Sequence, residues 1–258
     1  MTRTQAQEFI GSDIRDKVLT LTLGAGPAHP LSQGMITALH CAVLHAGSNA
    51  DVNAIVIHGP GKIFCAGHDL KEIARHRCAP DNGHTYLKKL FFDCSALMTA
   101  ITMSPKPTIA MVEGIATAGG LQLAASCDLV FATQQATFCL PGVNNGGFCT
   151  TPSVAVGRSI SRKHVMEMAL SGEVFDANWA LEAGLINRMV GAADLAQFVQ
   201  DFAARLATRN PNAVAQGKQM LHRQLEMPLE QAYAAATDVM IDHFMDPARI
   251  ASDLEKWG

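Results

Sequence analysis

One stretch, Glu113–Asp128 (EGIATAGGLQLAASCD), limits what this chain can fold into more than any other. Ahead of it, Thr108–Val112 is a short apolar run behind Pro107, the pattern of a fully buried strand. Beyond the small residues, Leu121, Ala124, Ala125 and Asp128 recur at helical spacing. Ala118–Gly119–Gly120 therefore falls where a strand hands over to a helix. Glycine at such a turn lets a ligand reach the main chain with no Cβ in the way. The first amides of the helix lack intrahelical acceptors and carry the positive end of its dipole. A turn of this kind holds an anion, or an oxygen that becomes one during a reaction. The alternative reading is a Gly-rich turn used only for close packing.

Further strand patterns frame that turn. Val18, Leu19, Leu21 and Leu23, with Thr20 and Thr22 between them, predict a strand that ends in Gly24–Ala25–Gly26–Pro27. A strand followed by Gly-x-Gly invites a dinucleotide site, but Pro27 interrupts the turn and His29 stands at the sixth position, so the fingerprint fails. Ser32 predicts the cap of a helix running to about Ala46, with Met35, Leu39, Val43 and Ala46 along one face. Asn53–Gly59 predicts a second buried strand. Strand–helix–strand order of this length favours a parallel sheet with helices outside it. A chain of 258 residues, 48% hydrophobic, has core enough for one large domain, or one with a small appendage.

Lys62–Glu72 (KIFCAGHDLKE) repeats the strand-to-helix theme. Phe64 and Cys65 end a strand, Ala66–Gly67 bend, and Leu70 starts a helix that Asp69 can cap. The amide of His68 thus lies at a second turn, roughly fifty residues before the first. Two such turns in one layered fold can aim their N–H groups at a single carbonyl oxygen.

FCAGHDLKE followed by EGIATAGGLQLAASCDLVFA resembles the crotonase (enoyl-CoA hydratase/isomerase) superfamily. The similarity continues through TFCLPGVNNGGFCTTP and LSGEVFDANWALEAGLINRMV, nearly the whole chain. The resemblance implies an α/β fold, a crotonase-like ββα-superhelix spiral core over residues 1–195 that carries an acyl-CoA site. It implies a C-terminal helical region over residues 196–258 that builds a homotrimer, or a hexamer as a dimer of trimers. It implies acyl-CoA thioester substrates, with coenzyme A as part of the substrate, no tightly bound cofactor and no metal. By the same resemblance the backbone amides of His68 and Gly119 form an oxyanion hole for the thioester carbonyl. Substrate contacts fall at His29, Ala66, Gly67, Asp69, Leu70, Gly120, Pro141, Gly142 and Asn144.

The chain also departs from that family. Hydratases of the superfamily add water with two glutamates, and the matching positions here are Gln122 and Gly142. An amide has no titratable carboxyl, and glycine has no side chain. General acid–base catalysis contributes about 10²–10⁴ in rate, and one oxyanion-hole donor about 10²–10³. Keeping the second and losing the first leaves an enolate-stabilising cradle with no evident base, so the expected hydration is weak or atypical. The position that carries an acid in some isomerases and an aspartate nucleophile in dehalogenases is Thr150, which disfavours both. GHDLKE, ATAGGLQLAASCD and PGVNNGGFCTTP are similar instead to the subgroup called enoyl-CoA hydratase domain-containing protein three, which bears the hydratase name without the hydratase acids.

Four side chains are candidates to fill the gap. The His68 imidazole ordinarily titrates near pH ~6.5; its ring either carries a proton or fills a pocket wall while only the amide works. Gln122 either positions a water or the thioester, or packs. Asn144, like Asn145, is either a turn residue or a polar contact for the acyl group. Cys149 is a nucleophile only with an activating partner, none of which is visible, and a buried free thiol is the commoner state. The loop Gly24–Leu31 holds only His29 where family members often place Lys or Arg near the adenine and phosphates. The phosphates must then draw charge from Lys62, Lys71 or the Lys256 of a neighbouring subunit.

The remaining segments read mainly as scaffold. A helix follows a Cys78–Gly83 turn and runs to Met103, with Leu87, Leu90, Phe91, Cys94, Leu97 and Met98 on an apolar side. That stripe is core, and lines an acyl pocket only by the family analogy. Asp128 reads as a satisfied structural acid at the start of a strand, and Thr137–Leu140 as extended. Helices then dominate: Ser161–Ser171, Ala177–Ala183 capped by Asp176, Asp194–Thr208, Pro211–Leu225, Pro228–Phe244 and Pro247–Lys256, with Leu185–Val190 as a last strand. Met220, Leu221, Leu225, Met240 and Met245 form either internal core or an adaptable apolar surface for subunit contacts.

A net charge of −3, from 20 basic and 23 acidic residues with no basic run, gives nucleic-acid binding no electrostatic footprint. No apolar run approaches membrane-spanning length. The opening MTRTQAQEFIGSD has acids, bases and no apolar centre, so it reads as neither a secretory signal nor a transit peptide. Seven cysteines without a CxxC pair read as reduced thiols, and the expected location is cytoplasmic. Two functions stand at this point: an enzyme working through an enolate or tetrahedral oxyanion, or a non-catalytic acyl-CoA-binding or regulatory protein.

Overall fold

Two sheets organise the chain, whose computed structural model describes residues 9–258. The first eight positions, which carry part of the stretch read for targeting signals, lie outside the described residues. The strands are β1 (Ile10–Arg15), β2 (Val18–Leu23), β3 (Ala54–Gly59), β4 (Ile63–Cys65), β5 (Thr108–Val112), β6 (Ile115–Thr117), β7 (Leu129–Thr133), β8 (Thr137–Cys139), β9 (Val174–Asp176) and β10 (Arg188–Val190). One sheet has six strands in the order β1-β2-β3-β5-β7-β10, the other four in the order β4-β6-β8-β9. Every pairing is parallel except β1 with β2 and β8 with β9. The helices of this part are α1 (Gln33–Ser48), α2 (Leu70–His76), α3 (His84–Thr102), α4 (Gly119–Ala125), α5 (Thr150–Ser159), α6 (Arg162–Ser171), α7 (Ala177–Glu182) and α8 (Leu195–Ala207), with a 3-10 turn over Pro141–Asn145.

The central strands are apolar on both faces because both faces are covered. Ile55, Ile57, Ala110, Val112, Val130 and Ala132 join one core with Met35 and Leu39 of α1 and Leu90 and Leu97 of α3. Their neighbours Ala54, Val56, Ile109, Met111 and Phe131 join the other with Leu195, Val199 and Ala203 of α8. That is the period-2 alternation of a strand. Ser32, Asp69, Ser161 and Asp176 each accept a backbone N–H at a helix start, as the sequence predicts.

The chain steps between sheets in a repeated manner. β3, β5 and β7 lie in the large sheet, and each is followed at once by a short strand of the small one, β4, β6 or β8. A helical segment comes next each time, so the architecture is the expected spiral of ββα turns. Asp128 ties two of these turns together: its Oδ2 accepts from the Thr108 amide at 2.7 Å and from the Thr108 hydroxyl at 2.9 Å. It is a structural acid, as read.

One reading of a buried stripe needs correction, and the open choice at the C-terminus falls mostly to surface. Phe91 of α3 is 38% exposed rather than core, whereas Ile101 is fully buried in its place. Of the five apolar residues named near the C-terminus, Met220 is buried and the other four are exposed.

Residues 9–207 form one compact unit and Thr208–Gly258 a second. The second holds α9 (Pro211–Gln224), α10 (Leu229–Phe244) and α11 (Pro247–Trp257). Asn210 and Asp246 cap the first and last of these, each ahead of a proline at the first helical position. Leu221, Leu225, Leu229, Tyr233, Met240 and Met245 leave this unit rich in exposed apolar surface.

Candidate active site

Three parallel strands of the small sheet, β4, β6 and β8, end side by side. Each is followed by a turn into a helical segment: α2, α4 and the 3-10 turn at Pro141. The carboxyl ends of parallel strands are where α/β proteins gather their ligands. His68, Gly119 and Gly142 belong to these three turns.

The first turn is built by Gly67 and Asp69. Gly67 has φ +82°, a left-handed backbone that glycine adopts without strain. The Asp69 carboxylate accepts from the amides of Lys71 and Glu72. Leu31 runs alongside, its amide donating to the Gly67 carbonyl at 2.8 Å and its carbonyl accepting from the Asp69 amide at 3.3 Å. The His68 amide between them has no acceptor among the described residues.

The second turn is built by Ala118, which has φ +49° and ψ −119°. A non-glycine residue in so sparsely populated a region costs about 1–3 kcal/mol. The Ala118 amide is pinned to the Cys139 carbonyl at 3.0 Å, and the next amide, that of Gly119, donates to nothing among the described residues.

The two turns touch. A Cβ added at Gly67 would lie 2.9 Å from the Gly119 nitrogen, and one at Gly119 would lie 3.3 Å from the His68 ring. One at Gly120 would lie 2.0 Å from the Cys65 carbonyl oxygen, which no side chain can share. Ala66, Gly67, His68, Asp69, Gly119 and Gly120 thus come together, with Leu70 exposed at the rim.

The His68 ring packs edge-on against Phe91, centroids 4.9 Å apart, and its buried Nε2 has no hydrogen-bond partner among the described residues. Burial pushes the imidazole pKa down to about 4. At neutral pH the ring is neutral and a weak base. Leu31 is not singled out from sequence for this place, and Phe91 only as one of an apolar stripe given a pocket role by the family resemblance; an apolar side chain carries no local sign that it borders a site.

One helical turn beyond Gly119, Gln122 is 4% exposed and its Oε1 has no partner among the described residues. It borders a cavity of about 310 Å³ between α3, α4 and α5, within the size range of small-molecule sites. Among the described residues no carboxylate lines this cavity.

The third turn is filled. A Cβ added at Gly142 would lie 2.6 Å from the Cys149 nitrogen and 2.8 Å from the Phe148 carbonyl carbon. It would also lie 3.0 Å from Cys149 Sγ. The loop is held there by the Gly147 amide, which donates to the Gly142 carbonyl at 3.0 Å. Burial raises the pKa of the Cys149 thiol, with partial relief from a main-chain hydrogen bond at Gly142, so it stays protonated.

Other candidates are engaged elsewhere. His29 is 5% exposed, and its ring nitrogens lie 3.0 Å from the Gly24 carbonyl and 3.1 Å from that of Pro60. Neither nitrogen is left to meet a phosphate. Asn144 donates through Nδ2 to the Gly172 carbonyl at 3.0 Å. Pro141 opens the 3-10 turn, and Thr150 opens α5.

Residues 13–254 match the family described as enoyl-CoA hydratase/isomerase. This chain belongs to that family. The rat protein named "Enoyl-CoA hydratase domain-containing protein 3, mitochondrial" is 39% identical over 213 residues, 83% of this chain and 69% of the relative. A solved enoyl-CoA hydratase/isomerase family protein from Silicibacter pomeroyi is 58% identical with a TM-score of 0.88, covering 93% of this chain and 100% of its own. The human enoyl-CoA hydratase domain-containing protein 3 superposes with a TM-score of 0.88 at 34% identity, covering 96% and 97% of the two chains. Both the enoyl-CoA hydratase/isomerase assignment and the likeness to the domain-containing protein 3 subgroup stand as the motifs led us to expect. Among the described residues no helix of this family member is long and apolar enough to cross a membrane.

Proposed function

We propose that this enoyl-CoA hydratase/isomerase family member binds acyl-CoA thioesters and stabilises negative charge on the thioester oxygen, without the two-glutamate machinery for adding water. The observation that carries the reading is the contact between two strand-to-helix turns whose amides, at His68 and Gly119, have no acceptor among the described residues. Two N–H groups aimed at one developing oxyanion lower an enolate or tetrahedral intermediate by about 2.7–4 kcal/mol per donor. Ala66, Gly67, Asp69, Leu70 and Gly120 shape the approach to that oxygen, and Pro141 and Gly142 bound it from the third turn. The acyl group enters the cavity beside Gln122. No resident cofactor is required, since coenzyme A arrives with the substrate.

Hydration needs a group to activate water. Gln122 cannot ionise, and the space at Gly142 is taken by main chain. Losing such a base costs about 10²–10⁴ in rate. A second reading, acyl-CoA binding without turnover, is favoured by a cavity lining that holds no carboxylate among the described residues. The exposed apolar helices of Thr208–Gly258 support assembly as a homotrimer, or a dimer of trimers. Seven cysteines, none in a disulfide among the described residues, fit a reducing, cytoplasmic setting, although the name of the rat relative assigns that protein to mitochondria.

Calorimetric titration with butyryl-CoA and a single-turnover assay with crotonyl-CoA test these readings. Micromolar binding with slow hydration, both weakened in Gly119→Val, is the expected result. Binding with no hydration at all selects the second reading. No binding of either thioester by the wild type at millimolar concentration would remove both.

A further inference from the structure

One edge of the six-stranded sheet carries a charge pattern that the oxyanion turns do not explain. Among the described residues β1 is paired on one side only, antiparallel to β2, with Arg15 opposite Val18. Asp16 and Lys17 between them have φ +53° and +60°, the two-residue turn of a tight hairpin. Such a turn closes on a hydrogen-bonded pair, and bonded pairs then alternate with unbonded ones along the ladder. Arg15, Asp13 and Gly11 therefore bond to β2, while the N–H and C=O of Ser12 and Ile14 point away from the sheet. Neither residue finds a backbone partner on that side among the described residues. Residues 11–17 are all exposed, Ile14 by 49%, whereas Ile10 and Val18 at the two ends of the run are buried.

Ile14 is the midpoint of that exposed run, and the run is complementary to itself. When a second copy lies antiparallel to it about a two-fold axis through Ile14, Asp13 faces the copy's Arg15. Ser12 then faces the copy's Asp16, Gly11 its Lys17, and Ile14 its Ile14, with each unlike pair made twice. Opposite charges on directly facing residues attract, and like charges repel. An axis through Asp13 sets two carboxylates against each other, and an axis through Ser12 needs the buried Ile10. Charges on an edge strand commonly keep other strands away; in this order they reject those registers and favour one. The Arg15–Asp16 ion pair, 3.4 Å long with both side chains 62% exposed, is exchanged at little cost. We propose that β1 is an interface for a second copy of this chain, the two sheets joined edge to edge with Ile14 on the two-fold axis. A contact of this symmetry closes on itself, so it makes pairs and not fibres. It is independent of the acyl-CoA reading and uses none of the exposed apolar residues of Thr208–Gly258.

The test is sedimentation velocity on the full chain across a wide range of concentration. Ile14→Pro removes the central outward N–H of each strand, one that β2 does not use, so the hairpin is kept. This variant is expected to halve the mass of the largest assembly. Asp13→Arg and Arg15→Asp each turn two attractions into two repulsions, and each is expected to weaken pairing about tenfold or more. An equimolar mixture of these two variants is expected to pair again, because each meets its opposite charges in the other. The chain carrying both substitutions is expected to pair like the wild type. Should Ile14→Pro unfold, the charge variants, at exposed positions, carry the test alone. An assembly whose mass and concentration dependence are the same in the wild type and in both charge variants overturns the inference. So do charge variants that weaken pairing but are not rescued by mixing, or a loss in Ile14→Pro that neither charge variant shares.

Discussion

On the proposed reading Gly142 stands in for the second glutamate of a hydratase, so Gly142→Glu is the obvious attempt to restore hydration. The structure predicts that it damages the fold instead. The first carbon of any side chain there would lie 2.6 Å from the Cys149 nitrogen and 2.8 Å from the Phe148 carbonyl carbon. Both are main-chain atoms, so no rotamer change relieves the contact; the loop Gly146–Cys149 must move, and the Gly147-to-Gly142 hydrogen bond with it. Overpacking of this kind costs about 1–3 kcal/mol. For a chain of this size each kcal/mol lowers the midpoint of thermal unfolding by about 2–4 °C. Because the clash begins at Cβ, Gly142→Ala should already show most of the loss, and Gly142→Glu a little more. Thermal unfolding by calorimetry, with crotonyl-CoA hydration measured on the same samples, decides the matter. An alanine variant that melts with the wild type would mean the loop does not pack on residue 142. A gain of a hundredfold or more in hydration by Gly142→Glu combined with Gln122→Glu would mean the space is open to a carboxylate after all.

Two further outcomes follow from the same turns. His68 has a pKa near 4 in the fold, against about 6.5 when exposed. The unfolded chain therefore binds the extra proton between those values. Its contribution is fully present above pH ~6.5 and falls away toward pH 4, by up to about 3 kcal/mol. Urea midpoints at pH 7 and pH 5 should differ more for the wild type than for His68→Leu; equal differences would exclude the ring as the source. Gly120→Ala would put a methyl 2.0 Å from the Cys65 carbonyl oxygen. It should cost at least about 3 kcal/mol, read as a lowered urea midpoint or insoluble expression, and a wild-type midpoint would contradict the contact between the turns.

Much of this was legible because local chemistry decided it. Apolar runs at Val18–Leu23 and Thr108–Val112 became central strands since both their faces are covered. Ser32, Asp69 and Asp176 announced their helices by the bonds their side chains make. β1 was not foreseen, for five of its six residues are exposed and its pairing with β2 creates it rather than any pattern of its own. The division between β5 and β6 at Glu113–Gly114 was hidden too, because it serves a second sheet assembled from remote segments. At the site, His68 and Gly119 could be brought together from motifs, but the ties that occupy His29 and Asn144 lead to carbonyls of Gly24, Pro60 and Gly172, beyond the reach of any spacing rule. The filling of the third turn by Phe148 and Cys149 belongs to the same class.

Ala118 stands where glycine would sit at ease. Its methyl group makes that shape costly rather than easy, so what holds the peptide is the neighbouring strand end, whose Cys139 carbonyl grips the Ala118 amide. The nitrogen that follows is consequently oriented while the pocket is still empty. Whatever oxygen comes to rest there meets a fixture already in position, and none of its binding energy goes into straightening the chain.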